Sequence, residues 1–175
     1  MSGKEYRRYR SGKTSEIERL ELQARTLGDS VQRQISLLGI QNSTRVLDAG
    51  CGTGSFARNV AKVVLPAKIT AVDIEPIFIE EARRLASEEG IGNIEFEVAN
   101  LENLRFADGT FDISWMCLVL PHLKDASKAV AELKRITKRR GKIASFDEGG
   151  LFTYPPIMKF FDLFEKVTLW RRETN

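Results

Sequence analysis

The sequence predicts an α/β domain with a doubly wound parallel sheet, and three observations carry that prediction. Short apolar segments alternate with stretches of helical periodicity, which is the pattern of parallel strands joined by helices. A glycine-rich turn directly follows the first apolar segment. Residues 111–117 are apolar on both faces, as expected of a strand in the middle of such a sheet. With 175 residues, 42% of them hydrophobic and 29% charged, the chain can bury a core, which excludes general disorder.

The first predicted element is an amphipathic helix that precedes every strand. Apolar residues recur at steps of three and four between Ile17 and Leu38, and Gly39 is a suitable residue to end the helix. We expect this helix to lie across the sheet as a cap. Residues 1–40 then form an N-terminal arm and capping helix, and residues 41–175 form the α/β domain.

Strands and helices alternate through the rest of the chain. The expected strands cover residues 44–49, 68–73, 94–98, 111–117 and 142–147. The expected helices cover about 55–64, 76–90 and 125–138, and a final helix begins at Pro155. Pro66 and Gly141 interrupt the helical patterns before the second and fifth strands. Right-handed crossovers place the helices on both faces of the sheet.

The candidate site lies at the carboxyl ends of the strands, where doubly wound sheets bind their ligands. Residues 48–54, with the sequence Asp-Ala-Gly-Cys-Gly-Thr-Gly, follow the first strand. Glycines at alternate positions allow a sharp turn and a close approach of the main chain to a ligand. Asp73 ends the second strand, 23 residues after Gly50, and its carboxylate can accept both hydroxyls of a ribose.

Two further strand ends add polar and apolar groups. Asn100 and Leu101 follow the third strand; the amide oxygen of the first can accept from an exocyclic amino group, and the second can cover an aromatic face. Met116 and Cys117 end the fourth strand, and their main-chain carbonyls can accept from an ammonium group. In a purely structural interpretation, the glycines only form the turn and Asp73 caps the next helix, which leaves the joint spacing unexplained.

Taken together, these stretches resemble the class I S-adenosylmethionine-dependent methyltransferases. Residues 46–54 resemble motif I of that family, and residues 71–74 resemble its second motif. Residues 100–104, with 108–112 behind them, are similar to the stretch that leads from the adenine contact into the fourth strand. The resemblance covers about residues 44–147 and is closest to the small-molecule "type 11" branch. It implies a Rossmann-like sheet of strand order 3-2-1-4-5, with S-adenosylmethionine as the cofactor.

The resemblance also assigns roles to individual residues. The turn holds the methionine part of the cofactor, with an acid beside its cationic groups; the acid that ends the second strand holds the ribose; and the remaining residues contact the adenine and the amino-acid portion. The implied cofactor-binding residues are Asp48, Gly50, Cys51, Gly52, Asp73, Ile74, Asn100, Leu101 and Cys117. The catalytic residues stay open. His122 is either a general base or a packed or helix-capping histidine, and Glu148 is either a second candidate or a solvated side chain.

We expect a methyltransferase that acts on a small-molecule nucleophile, and two alternatives stay open. The first is a cofactor-binding module without chemistry of its own. The second is a nicotinamide dehydrogenase, for which the Gly-x-Gly-x-x-Gly pattern requires glycine at position 55, where this chain has Ser55. Sheets of the resembling family continue past the fifth strand with further strands, which are apparently missing here. The edge of strand five is then covered by a missing segment, by a second copy or other partner, or by the capping helix.

Charge and cysteine usage narrow the expected partners. The basic run at 134–142 falls at the foot of the sheet, opposite the candidate site, and is a poor clamp for a nucleic acid being methylated. For the basic and aromatic arm at 6–10, a role as a lid that orders over the cofactor or the acceptor remains an alternative. Cys51 and Cys117 lack the companions of a metal or redox motif, so no metal is expected. The N-terminus has no apolar signal core and no stretch is long enough to span a bilayer, so we expect a cytoplasmic enzyme.

Overall fold

The structure is a computed structural model that describes residues 13–26, 28–63, 68–147 and 150–154. The basic arm at 6–10, Glu148 and the helix expected from Pro155 lie outside the described residues. The helices are α1 (Lys13–Thr26), α2 (Gly28–Leu38), α3 (Ser55–Ala61), α4 (Pro76–Glu88) and α5 (Ala126–Ile136), with a 3-10 turn at Leu120–His122. The strands are β1 (Val46–Ala49), β2 (Ile69–Asp73), β3 (Ile94–Val98), β4 (Phe111–Cys117), β5 (Thr137–Asp147) and β6 (Gly150–Tyr154).

The strands form one sheet in the order β3-β2-β1-β4-β5-β6. The first five strands in this order are parallel to their neighbours, which confirms the predicted order 3-2-1-4-5. The order reverses direction at β1, whose Asp48 lies opposite Ala71 of β2 on one side and Trp115 of β4 on the other. The carboxyl ends of β1, β2 and β4 therefore meet at one edge of the sheet, at the point where ligands of doubly wound folds bind.

Alternate residues of the central strands feed two cores, one on each face of the sheet. Val46 and Trp115 belong to the core under α2, α3 and α4, in which Trp115 stacks on Phe56 with ring centroids 4.3 Å apart. Leu47 and Met116 belong to the core under α5. Because the central strands β1, β2 and β4 contribute to both cores, most of their residues are buried, as the apolar sequence of β4 predicts.

The N-terminal cap differs from the single helix expected between Ile17 and Leu38. The structure has two helices, α1 and α2, on either side of residue 27. Gly28 is a poor residue for a helix interior, which accounts for a boundary at this point. Gly39 ends α2 in the left-handed conformation, with φ at +68°, as predicted.

The prediction that the edge of strand five lacks a partner within the chain is wrong. β6 pairs with β5 in antiparallel fashion from Ile143 opposite Tyr154 to Asp147 opposite Gly150. The sequence holds a signal for this hairpin, because only two residues, one of them Gly149, separate the paired Asp147 and Gly150. Neither a second copy nor the capping helix is needed to cover this edge of β5.

The start of β5 also differs from the prediction, which ended the preceding helix near 138 and began the strand at 142. β5 begins at Thr137, which pairs with Phe111, and the register then shifts so that Ile113 pairs with Lys142. Thr137 is buried and its hydroxyl lies 2.7 Å from that of Ser114, which joins the two strands inside the sheet.

In the described residues, no helix is both long and apolar enough to cross a membrane.

Candidate functional site

Three main-chain N–H groups of the turn after β1 donate to the end of β2, and a fourth donates within the turn. The N–H groups of Gly50 and Cys51 both donate to the Val72 carbonyl, at 2.8 and 2.9 Å. The N–H of Gly52 donates to Asp73 Oδ2 at 2.8 Å, and that of Gly54 donates to the Cys51 carbonyl at 2.8 Å. Each of these N–H groups is therefore used within the protein.

Asp73 is buried, with 9% of its surface exposed, and both of its oxygens are engaged. Oδ2 accepts from Gly52, and Oδ1 accepts from the N–H of Glu75 at 3.0 Å, just before α4. Burial nevertheless raises the pKa of this carboxyl above its ordinary value, against the effect of those hydrogen bonds. A carboxylate oxygen has more than one acceptor site, so each oxygen of Asp73 retains capacity for a ligand hydroxyl.

Asp48 is the second buried acid, with 2% of its surface exposed. Its Oδ2 accepts from the N–H of Ala57 in the first turn of α3 at 3.2 Å. Burial raises the pKa of Asp48 from 3.8 to about 7, the Ala57 hydrogen bond opposes this, and the charge of Asp73 raises it further. The site thus holds two desolvated carboxyl groups, and burial also raises the pKa of the neighbouring Cys51 thiol, which stays protonated.

This arrangement favours a cationic ligand over a phosphate. A phosphate bound at a helix N-terminus needs unpaired N–H groups and an absence of negative charge. At the start of α3 the Asp48 carboxylate already accepts the N–H of Ala57, and the N–H groups of residues 50, 51, 52 and 54 in the turn are bonded internally. A positive charge beside Asp48 and Asp73 offsets their burial, whereas a pyrophosphate would add to the repulsion.

Backbone conformation favours glycine at all three glycine positions of the turn, and contacts within the protein require it at two of them. All three have positive φ, between +53° and +78°. A Cβ on Gly50 would lie 2.5 Å from Val119 Cγ2, and a Cβ on Gly54 would lie 2.8 Å from Phe96 Cε1. A Cβ on Gly52 would lie 3.5 Å from Leu20 Cδ1 in α1. The space in front of Gly50 and Gly54 is thus filled by side chains of the chain itself. At Gly52 a Cβ would make only an ordinary contact, so the positive φ alone favours glycine there.

We predict that Gly54→Ala costs more stability than Gly90→Ala. Both positions have positive φ, +76° and +68°, so both variants carry the backbone cost of about 1 kcal/mol. Only the Gly54 variant also forces its methyl group into Phe96 and Ala82, an overpacking cost of about 1–3 kcal/mol. Urea unfolding measures both changes. Equal losses of unfolding free energy would contradict the close packing of the turn against β3 and α4.

The remaining predicted residues lie around these acids with different degrees of exposure. Ile74 follows Asp73 and is 57% exposed, so it presents an apolar surface at the rim. Asn100 is exposed, and its side-chain oxygen accepts from the N–H of Glu102 at 2.9 Å. Leu101 is buried in the core under α5, so its side chain offers little surface to a ligand. Cys117 is half-buried at the end of β4.

The loop that carries Asn100 is fastened along α5. The N–H of Leu104 donates to Glu132 Oε2 at 2.9 Å, and Arg135 donates to the carbonyls of Leu104 and Phe106. Arg135 also pairs with Glu132 and Asp108. These contacts hold the loop in place from the helix that follows β4. No local pattern in the sequence indicates the contacts between the loop and α5, because their partners lie 27 to 31 residues apart.

A second contact missed from the sequence is the one between the cap helix and the turn. Glu21 of α1 pairs with Arg58 of α3 at 2.9 Å, and Leu20 lies against Gly52. These contacts place α1 against the turn. The two partners of the ion pair are 37 residues apart and belong to different helices, so no local pattern in the sequence indicates it.

The other candidates lie farther from a catalytic arrangement. His122 is exposed in the 3-10 turn after β4. The basic run lies at the foot of the sheet as predicted, where Lys138 pairs with Asp112 at 2.6 Å and Lys142 donates to the Leu38 carbonyl at 2.7 Å. In the part of the chain that the structure describes, no group of three or more His, Cys, Asp or Glu residues is placed to hold a metal ion.

Comparison with known sequences places this site in a family. The methyltransferase domain family matches residues 47–145. The ubiquinone/menaquinone biosynthesis C-methyltransferase UbiE of Citrifermentans bemidjiense is 31% identical over 132 residues, which cover 74% of this chain and 54% of that protein. The chain spans about half the length of the curated relatives it matches.

Solved structures support the same conclusion. A SAM-dependent methyltransferase from Aquifex aeolicus matches with a TM-score of 0.70 at 25% identity, covering 76% of this chain and 71% of that one. The YcgJ protein of Bacillus subtilis matches with a TM-score of 0.66 at 31% identity, covering 69% and 50%. The matched residues 47–145 contain the glycine turn and both buried aspartates, so the chain belongs to the methyltransferase domain family, for which S-adenosylmethionine is the implied cofactor.

Proposed function

We propose that the chain is an S-adenosylmethionine-dependent methyltransferase that acts on a small-molecule nucleophile. One observation carries the proposal beyond the family match: Asp48 and Asp73 are buried together at the turn, and four N–H groups of that turn, at residues 50, 51, 52 and 54, are bonded within the protein. Such a site suits a ligand with positive charge and ribose hydroxyls but no phosphate. S-adenosylmethionine has these features, and a dinucleotide does not.

The residues of the turn fit that cofactor. When bound, S-adenosylmethionine supplies an electrophilic methyl group on a sulfonium. We propose that Asp73 accepts the two ribose hydroxyls with its remaining acceptor sites, while the negative charge of Asp48 stabilises the cationic portion. Ile74 offers its exposed side chain to the adenine, and Asn100 and the Cys117 main chain contact the polar edges of the ligand.

Alignment of a nucleophile with the methyl group supplies much of the acceleration in such a transfer. We therefore assign no general base, and His122, exposed in its turn, stays a candidate only. The relatives named as ubiquinone/menaquinone biosynthesis C-methyltransferases support a carbon atom as the nucleophile. We propose an electron-rich aromatic or enolic carbon acid as the acceptor class, and residues 1–40 as arm and cap to a domain formed by 41–175. Cytoplasmic location stays a prediction.

Isothermal titration with S-adenosylhomocysteine tests the cofactor assignment. We expect saturable binding of one equivalent and no heat with NADH, whose pyrophosphate would meet Asp48. Binding of NADH without binding of S-adenosylhomocysteine would favour the dehydrogenase instead. A methyl-transfer assay with labelled S-adenosylmethionine over small phenolic, enolic and amine acceptors then tests activity. Binding without turnover on any acceptor would point to a module without chemistry of its own.

A further inference from the structure

The buried side chain of Arg58 joins three parts of the fold. Its Nε pairs with Glu89, directly after α4, at 2.8 Å, and its Nη1 donates to the main-chain oxygen of Thr53 in the glycine turn. Its Nη2 contacts both carboxylate oxygens of Glu21, at 2.9 and 3.1 Å. The Arg58 side chain is 6% exposed, so its charge depends on these partners. One of the three comes from the cap helix.

The described side chains of the cap helix α1 are buried less deeply than those of α2. None of its described side chains, at residues 16–26, is fully buried, and Leu22 is 65% exposed. By contrast, α2 buries Val31, Ile35 and Leu38 in the core. An element with few buried apolar contacts opens at low cost in free energy. The position of α1 therefore depends strongly on the Glu21–Arg58 pair and on the contact of its leucine with the turn.

We propose that Glu21 and Arg58 are positioning residues that hold Leu20 over Gly52 and thereby control exchange of the ligand in the crevice. The pair is releasable. When α1 moves away, Arg58 keeps Glu89 and the Thr53 carbonyl, and Glu21 returns to water, so no buried charge is left without a partner. The proposal rests on the proposed function only in the choice of ligand.

The test is Glu21→Gln, which keeps the size of the side chain and removes its charge. We expect the association and dissociation rates of S-adenosylhomocysteine, measured by stopped-flow fluorescence, both to rise about fivefold, while the Kd changes less than about twofold. Both rates rise because α1 must move away from the turn before the ligand can enter the crevice and before it can leave. Unchanged rates would overturn the proposal, since α1 would then not lie on the route by which the ligand enters and leaves. A rise in the dissociation rate alone would overturn it as well, since α1 would then only contact the bound ligand.

The matched control is Glu16→Gln, which removes the same charge from the same helix but breaks only the pair with Arg19 inside α1. We expect wild-type ligand kinetics in this variant. Hydrogen exchange without ligand gives a second readout: the amides of 16–26 should exchange faster in Glu21→Gln only, while those of α2 stay unchanged. Equal hydrogen exchange in both variants would contradict the proposed role of the Glu21–Arg58 pair. Failure of the wild type to bind S-adenosylhomocysteine would contradict the proposed function instead. The hydrogen-exchange result would still show whether the Glu21–Arg58 pair holds α1.

Discussion

Asp73→Asn is expected to weaken S-adenosylhomocysteine binding about 100-fold, because a hydrogen bond to a charged group contributes about 1.5–3 kcal/mol and the ribose makes two of them. The amide retains one acceptor oxygen but places an NH2 group where the carboxylate now accepts from Gly52 or Glu75. The variant should therefore lose stability as well as affinity. Isothermal titration measures the affinity, and circular dichroism at the same temperature confirms that the variant is folded.

The matched control is Glu95→Gln on the neighbouring strand β3. Glu95 is half-exposed and pairs with Lys68 at the surface, at 2.9 Å. Exposed pairs of this kind contribute about 0–1 kcal/mol, so affinity should stay within about twofold of the wild type. If a folded Asp73→Asn protein binds as tightly as this control, the carboxylate does not hold the ribose, and the assignment of the crevice fails with it.

Much of the fold could be predicted from the sequence because the signals were local. The limits of β3 and β4 and the acid that ends β2 follow from apolar runs bounded by turn residues, and the structure has them where expected. The convergence of Asp48 and Asp73 follows from strand order alone. Parallel neighbours bring their carboxyl ends to one edge, whatever the details of packing.

The parts that escaped prediction depend on contacts between distant segments. The glycines of the turn were expected to make room for a ligand, whereas Val119 and Phe96 fill the space in front of Gly50 and Gly54. Leu118, before Val119, adopts a φ of +56° that its sequence does not indicate. The three partners of Arg58 lie in separate elements. β6 was not predicted; its five residues directly precede Pro155, where a helix was expected to begin.

Asp48→Asn is expected to stabilise the unliganded protein above pH 7 while it weakens cofactor binding. The pKa of Asp48 is about 7 in the folded chain and 3.8 in the reference state. The folded state therefore binds more protons than the unfolded state between these values, and the free energy of unfolding falls as pH rises from about 4 to 7. This shift in the pKa corresponds to about 4 kcal/mol of unfolding free energy. The wild type has lost it at pH 8, whereas the asparagine variant, whose side chain does not ionise, keeps it. Thermal unfolding should show a Tm higher by roughly 10 °C at pH 8 and an unchanged Tm near pH 4.

The opposite sign is expected for Asp112→Asn, which makes it the control. Burial pushes the pKa of Asp112 up, but hydrogen bonds from Lys138 and from the Arg45 main chain outweigh it and hold the pKa below its usual value. Its contribution to stability is present above about pH 4, so this variant should lose stability at pH 8. A loss at pH 8 in Asp48→Asn as well would contradict the burial argument.

Ligand binding should reverse the effect of burial on Asp48. A cationic cofactor favours the ionised carboxylate, so S-adenosylmethionine should bind more weakly to the wild type as pH falls below 7 and release protons on binding. In Asp48→Asn the affinity should be lower by about tenfold at pH 8 and nearly independent of pH, apart from the smaller contribution of Asp73. Titrations in buffers of different ionisation enthalpy measure the proton release directly. Such a site is less stable without its ligand because its acids are placed for the cation, and the asparagine variant separates the two properties.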